Sequence, residues 1–132
     1  MSLNVPPALI EQAQAGDVRL SDFLQCIKDS LPYAWQLIAS LATRLEHSNA
    51  EFVDNQVPPP SEQARGQLLR VLASDSMRRA LEQHYGVKLA FQNCHRVALF
   101  RQDRTGEPGS AYEEFISPRS QILNQTPELR DC

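Results

Sequence analysis

The sequence has little of what marks several large classes of protein. Its 132 residues include 3 cysteines, 1 tryptophan and 5 glycines. No apolar run approaches the roughly 18 residues that a bilayer crossing needs. The stretch Met1–Pro7 has neither the basic head nor the apolar region of a secretory signal. We therefore expect a cytoplasmic protein that is not exported and has no membrane partner.

The few cysteines also argue against a disulfide framework. Cys26, Cys94 and Cys132 are odd in number and show no C-x-x-C spacing. A chain without a secretory signal is expected in a reducing compartment, where structural disulfides are rare.

The fingerprints of nucleotide binding are missing as well. There is no G-x-G-x-x-G and no phosphate loop that ends in Gly-Lys-Ser/Thr. The segment Gly106–Gly109 contains Glu107, an anion where a phosphate would need only amides. We predict no cofactor, and the sequence favours a protein without catalytic activity.

What is present fits one domain that spans residues 1–132. Hydrophobic residues make up 42% of the chain and charged residues 22%, which is enough apolar surface for a folded core. Proline at Pro7 and glycine at Gly16 bracket a short helix. Further helices are expected from Ser21, after Ser30, from Ser61, from Ser74 to Gly86, from a capping box at Ser110–Glu113, and after Ser117.

The strongest periodic signal lies between residues 31 and 46. Apolar residues recur there at steps of three and four, the spacing of one buried helical face. Val57–Pro60 then predicts a stiff extended connector, because each proline fixes φ and disfavours helix before it.

The period changes to two near residues 87–101, which predicts one small antiparallel hairpin. With a turn at Asn93-Cys94, Phe91 is expected opposite Arg96 and Leu89 opposite Ala98. The predicted fold class is therefore α+β, mostly α: a compact helical domain with one hairpin. A two-stranded hairpin is marginal alone, so it must lie on the helices or pair with a second copy of the chain.

The net charge of −3 conceals a segregation along the chain. Residues 1–60 carry a balance of −4, residues 61–104 a balance of +4, and the remainder −3. The basic segment either binds a partner or is matched by the acidic ends of the same domain.

Two chemical alternatives stay open. A nucleic-acid regulator would use the basic 61–104 segment, in particular Arg70, Arg78 and Arg79, on a pair of helices that resembles a helix-turn-helix in outline. A thiol-dependent or metal-dependent protein would use Cys94, His95 and Cys132, because thiolates and imidazoles are the ligands of zinc and Cys94 beside a histidine is a candidate nucleophile.

Three stretches carry a resemblance to a known family: Asp54–Pro60, Leu89–Ala98, and Leu123–Cys132, which ends in Asn-Gln-Thr-Pro-Glu-Leu-Arg-Asp-Cys. In these stretches, and nearly end to end, the chain resembles a family of short actinobacterial proteins without an assigned function, many of which end in NQ(S/T)PELRDC. The resemblance implies a cytoplasmic bacterial protein and carries over no activity, ligand or catalytic residue.

The sequence as a whole favours a small protein-interaction or regulatory module. We expect it to associate with a protein partner, including itself as a homodimer, through the 31–46 helix or the hairpin edge.

Overall fold

In the computed structural model, residues 2–124 are described. They form an α+β fold that is mostly helical, as predicted. The elements in chain order are α1 Pro7–Ala15, α2 Leu20–Ser30, α3 Pro32–Glu46, β1 Phe52–Asp54, α4 Glu62–Leu72, α5 Asp75–Tyr85, β2 Val87–Gln92, β3 Arg96–Arg101, α6 Ser110–Phe115 and α7 Pro118–Leu123.

Several helix ends form where local chemistry predicts them. The hydroxyl of Ser61 accepts a hydrogen bond from the amide of Ala64 at 3.1 Å, and Ser74 caps α5 in the same way. Gly16 and Gly86 end α1 and α5 in the left-handed conformation, with φ of 75° and 65°. Glycine adopts this conformation without a steric cost, which explains both stops.

Three predicted helix starts are wrong by a residue or lack the predicted cap. Helix α2 begins at Leu20, so Ser21 lies inside it, and α6 begins after Gly109 rather than with a capping box at Ser110. Ser30 is the last residue of α2 and does not cap α3. Its hydroxyl instead accepts a hydrogen bond from the amide of Asn4 at 2.9 Å.

The hairpin belongs to a three-stranded antiparallel sheet with the strand order β1-β3-β2. The additional strand, β1, precedes the proline connector and was not predicted. It is only three residues long, too short to show a period of two. Its pairing with β3 places β3 at the centre, so β1 and β2 are the two edges.

The hairpin register differs by one residue from the prediction. Phe91 lies opposite Val97, Leu89 opposite Leu99, and Gln92 opposite Arg96. The turn therefore has three residues rather than two, and Asn93 has a φ of 55°. A one-residue shift exchanges the two faces of a strand, which is why Leu89 and Leu99 now meet on the same buried face.

The sheet is covered on both faces. One face packs against helices α2 to α5 through Val53, Leu89, Val97 and Leu99. The other face carries Ala90, Ala98 and Phe100, which pack against α6. Phe100 stacks on Phe52 with ring centroids 4.9 Å apart, and Phe115 meets Phe100 edge-on.

Helix α3 is the central helix of the fold. Its apolar residues Ala34, Ile38, Leu41 and Leu45 are at most 3% exposed, and the helix contacts α2, α4, β1 and β3. The apolar face of α3, the helix through which we expected self-association, is thus buried inside the fold. Among the helices of residues 2–124, none has the length and apolar character to cross a membrane.

Candidate functional surfaces

The basic segment 61–104 is largely used within the molecule. Four of its eight basic residues form ion pairs: Arg65 with Glu62, Arg78 with Asp75, Lys88 with Glu82 and Arg96 with Asp54. In each of the first two pairs, the two partners are three residues apart on the surface of one helix. Such exposed pairs contribute little to stability.

The pair Arg96–Asp54 is the more structural one. Both Nε and Nη2 of Arg96 donate to Oδ2 of Asp54, at 2.8 and 2.6 Å, and the side chains are 25% and 13% exposed. The guanidinium also lies over the ring of Phe115, 4.8 Å from its centroid. This contact links β1, β3 and α6.

Arg101 donates hydrogen bonds to backbone carbonyls rather than to a carboxylate. Its Nε donates to the carbonyl of Ala50 at 2.7 Å, and its Nη2 donates to the carbonyls of Leu45 and Ser48. Leu45 lies in the last turn of α3, where carbonyls lack helical partners. Arg101 therefore joins the end of α3 to the start of β1.

Of the three nucleic-acid candidates, two have no ion-pair partner among residues 2–124. Arg78 is paired with Asp75 at 3.1 Å. Within residues 2–124, no carboxylate lies within ion-pair distance of Arg70, in the last turn of α4, or of the exposed Arg79 in α5. The turn between the two helices is Ala73-Ser74, without a glycine.

The thiol and metal candidates lie at the tip of the hairpin. Cys94 and His95 are each 7% exposed, and Cys132 lies outside the described residues. Cys94 is disulfide-bonded, so the expectation that the chain lacks disulfides is wrong and the Cys94 sulfur is not a free thiol. Cys26 is free and buried in α2. Residues 2–124 contain no group of three or more His, Cys, Asp or Glu side chains arranged to hold a metal ion.

His95 carries an unsatisfied polar atom. Its Nδ1 is buried and has no hydrogen-bond partner among residues 2–124. Burial first, and the neighbouring charge of Arg96 second, lower the pKa of His95 from its ordinary value of 6.5. Both causes disfavour the protonated imidazolium, which would place a second cation beside the guanidinium.

Two buried amide side chains hold the hairpin tip, and sequence reasoning missed both. Asn55 donates to the carbonyl of His95 at 2.7 Å and accepts from the amide of Val97 at 2.8 Å. Gln92 donates to the carbonyl of Phe115 at 2.6 Å and to the hydroxyl of Ser120 at 2.8 Å. Neither residue has a local sequence signal, because its partners lie more than 20 residues away in the chain.

The N-terminal part of the fold has an apolar groove, which we call the N-terminal groove. It has a volume of about 580 Å³ and runs along the segment before α1 and along α1 and α2. Val5, Ile10 and Val18 line it and are 40%, 45% and 47% exposed. Leu3, Leu9, Ala13, Phe23 and Cys26 also line it.

A second cavity adjoins this groove at the segment before α1. It shares Leu3, Val5 and Leu9 with the groove and is bordered by the carboxylates of Asp22 and Asp29. These carboxylates accept hydrogen bonds from Gln12 and Gln25, at 2.8 and 2.9 Å. The apolar surface thus has an acidic border.

The two edges of the sheet differ in how they are protected. At β2, the amide of Leu89 donates to Oε2 of Glu82 at 2.9 Å, and the same carboxylate pairs with Lys88. At β1, a cavity of about 590 Å³ runs beside the strand and is lined by Arg44, His47, Ser48, Ala50, Phe52, Val53, Asp54 and Gln56.

These features define a small, mostly helical α+β fold with a three-stranded sheet, an apolar groove at its N-terminal part and a cavity beside β1. The chain belongs to the NucS shadow ORF family, whose model matches residues 1–132. No curated protein and no solved structure matches the chain.

Proposed function

We propose that this chain is a protein-interaction module without catalytic activity, and that the N-terminal groove is the surface it offers to another protein. The observation that supports the proposal is the cluster of exposed apolar side chains Val5, Ile10 and Val18 around one groove. Contiguous exposed apolar surface is the usual sign of a protein contact.

The acidic residues beside the groove indicate which kind of partner would fit it. An amphipathic helix could place its apolar face in the groove and its basic residues near Asp22 and Asp29. The charge balance of −4 over residues 1–60 favours the same kind of partner.

A comparative capture experiment tests this function. The wild-type chain, an Ile10→Glu variant and a Gln36→Glu variant are used as baits in lysate of the organism that makes the protein. Gln36 is exposed on α3 and lies outside the groove, so it is the matched control. We expect a protein that the wild type and Gln36→Glu retain and that Ile10→Glu loses by at least tenfold, the effect of losing ~1.4 kcal/mol at a contact. If all three baits retain the same proteins, the groove is not a binding surface.

Nucleic-acid binding is the second candidate function. It is supported by Arg70 and Arg79, which have no carboxylate partner within residues 2–124. Some nucleic-acid-binding modules clamp the backbone of a single strand with a GXXG loop. The basic charge needed for phosphate contacts is present on α4 and α5.

The one G-x-x-G in the sequence argues against a clamp of this kind. It is Gly106–Gly109, in the loop after β3. Oδ1 of Asp103 accepts from the amides of Thr105 and Glu107 at 2.8 and 3.0 Å, so these amides already hold an anion. The same hydrogen bonds, that of the Thr105 hydroxyl first, lower the pKa of Asp103.

Fluorescence anisotropy decides this second candidate. Labelled single-stranded RNA and DNA are titrated with the protein at low and at moderate salt. Binding through phosphates would weaken steeply with salt and would fall in an Arg70→Glu/Arg79→Glu variant. A signal that no concentration of protein changes would exclude this function.

A further inference from the structure

We propose that two copies of this chain pair through their β1 edges, antiparallel, and so join their three-stranded sheets into one continuous sheet. The inference goes beyond the proposed function, because it uses the cavity beside β1 and not the N-terminal groove.

The first step is the direction of the backbone groups of β1. The amide of Arg101 donates to the carbonyl of Glu51, and the amide of Asn55 donates to the carbonyl of Val97. In an antiparallel ladder, residues that bond to the neighbouring strand alternate with residues that face away. Phe52 and Asp54 therefore direct their amides and carbonyls to the open side of the strand.

These outward groups are nearly all unused. The carbonyl of Asp54 accepts from Nη1 of Arg44 at 3.3 Å, which leaves its second lone pair available. Within residues 2–124, the outward amides of Phe52 and Asp54 and the outward carbonyl of Phe52 have no hydrogen-bond partner, and both residues line the cavity beside β1. An unpaired strand edge of this kind is a template for another strand.

The second step is that β1 is complementary to itself. A two-fold axis at Val53 places Phe52 of one copy opposite Asp54 of the other, in both directions. Each of these pairs can exchange both of its amide-to-carbonyl hydrogen bonds, so every outward group of the short strand obtains a partner. No other register of three residues against themselves achieves this.

The third step is charge. Glu51 and Val53 point to the same side of the sheet, because side chains alternate along a strand, and Val53 packs toward α3, the helix that carries Arg44. In the two-fold arrangement the exposed Glu51 of one copy lies on the same side as Arg44 of the other copy. The arrangement therefore places opposite charges on the same side of the joined sheet at both ends of the strand pair.

The β2 edge offers no such alternative. Glu82 occupies the outward amide of Leu89, and Lys88 pairs with the carboxylate, so a second strand would have to displace this contact in the middle of the hairpin edge. The sequence led us to expect self-association through the hairpin edge. The proposal places it instead at β1, the opposite edge of the sheet.

Sedimentation velocity combined with amide hydrogen exchange tests the proposal. Over a range from ~5 to ~500 µM, mass action should convert monomer to dimer. The amides of Phe52 and Asp54 should exchange about tenfold more slowly at the upper end, because pairing withdraws them from water. The amide of Leu89 should not change, since Glu82 already holds it.

Charge exchange provides the matched variants. Glu51→Lys should weaken the dimer at least tenfold, and the double variant Arg44→Glu/Glu51→Lys should restore it, whereas Glu113→Lys on α6 should have no effect. Thermal melting of each variant establishes that it is folded. A monomer at every concentration would overturn the proposal. So would a dimer that resists Glu51→Lys and leaves the Phe52 and Asp54 amides unprotected.

Discussion

At the scale of single residues, buried amide side chains form hydrogen bonds with backbone groups that have no backbone partner. Oε1 of Gln67, on α4, accepts from the amides of Tyr33 and Ala34 at 2.8 and 3.1 Å. These amides belong to the first turn of α3, where no helical carbonyl can reach them. A side chain from another helix therefore caps the central helix, and no neighbouring residue does so.

Replacing this cap should be costly. A Gln67→Leu substitution leaves two amides of α3 without an acceptor, and we expect it to lower the free energy of unfolding by ~1–3 kcal/mol. Urea denaturation measures the change. Gln63→Leu, at an exposed position of the same helix, is the control and should be nearly neutral. Equal losses in the two variants would mean that the cap does not matter.

His95 predicts a dependence of stability on pH. Its pKa in the folded protein lies below 6.5, so the unfolded chain takes up a proton first as the pH falls. The free energy of unfolding should therefore be greatest above pH 6.5 and should decline as the pH falls below 6.5. A His95→Gln variant should reduce this decline, whereas His47→Gln, at an exposed site, should retain it. Parallel pH profiles for the wild type and His95→Gln would contradict the account.

At the scale of elements, the helices were more predictable than the sheet. Caps at Ser61 and Ser74 and the stop at Gly86 are encoded within a few residues of each end. The strand β1 and the hairpin register depend instead on contacts distant in sequence. Asn55 fixes the register by bonding the carbonyl of His95 and the amide of Val97, 40 and 42 residues away. A local pattern cannot contain that information.

The junction between α3 and β1 should depend on one guanidinium. Arg101 bonds the carbonyls of Leu45, Ser48 and Ala50, and a lysine ammonium cannot reproduce this planar arrangement of donors. We expect Arg101→Lys to lower the free energy of unfolding by ~1–2 kcal/mol. Chemical denaturation should show this loss, while Arg104→Lys, in the exposed loop that follows, should be within experimental error of the wild type.

At the scale of the whole molecule, the ion pairs show how the charges that are segregated along the chain are arranged in the fold. Four basic residues of segment 61–104 pair with Glu62, Asp75, Glu82 and Asp54. The first three of these acids belong to the same segment and are already counted in its balance of +4, so only Asp54 comes from the acidic N-terminal part. The candidate site was less predictable than the charge pattern. The N-terminal groove is formed by residues from the start of the chain and from α1 and α2, whose packing no periodicity reports.

The apolar stripe of residues 31–46 illustrates the same limit. Its period correctly predicts a helix, but the period cannot say whether the partner of the buried face is the same chain or a second one. In the structure, this face of α3 packs against other helices and strands of the same chain. The N-terminal groove is the surface that we propose for a different protein.

Site-specific photocrosslinking in the cells that make the protein tests that central claim most directly. A photoreactive amino acid replaces Ile10, inside the groove, or Gln36, on the exposed face of α3. The account predicts a discrete adduct with another protein from position 10 and none from position 36. No adduct at position 10, or the same adducts from both positions, would contradict it.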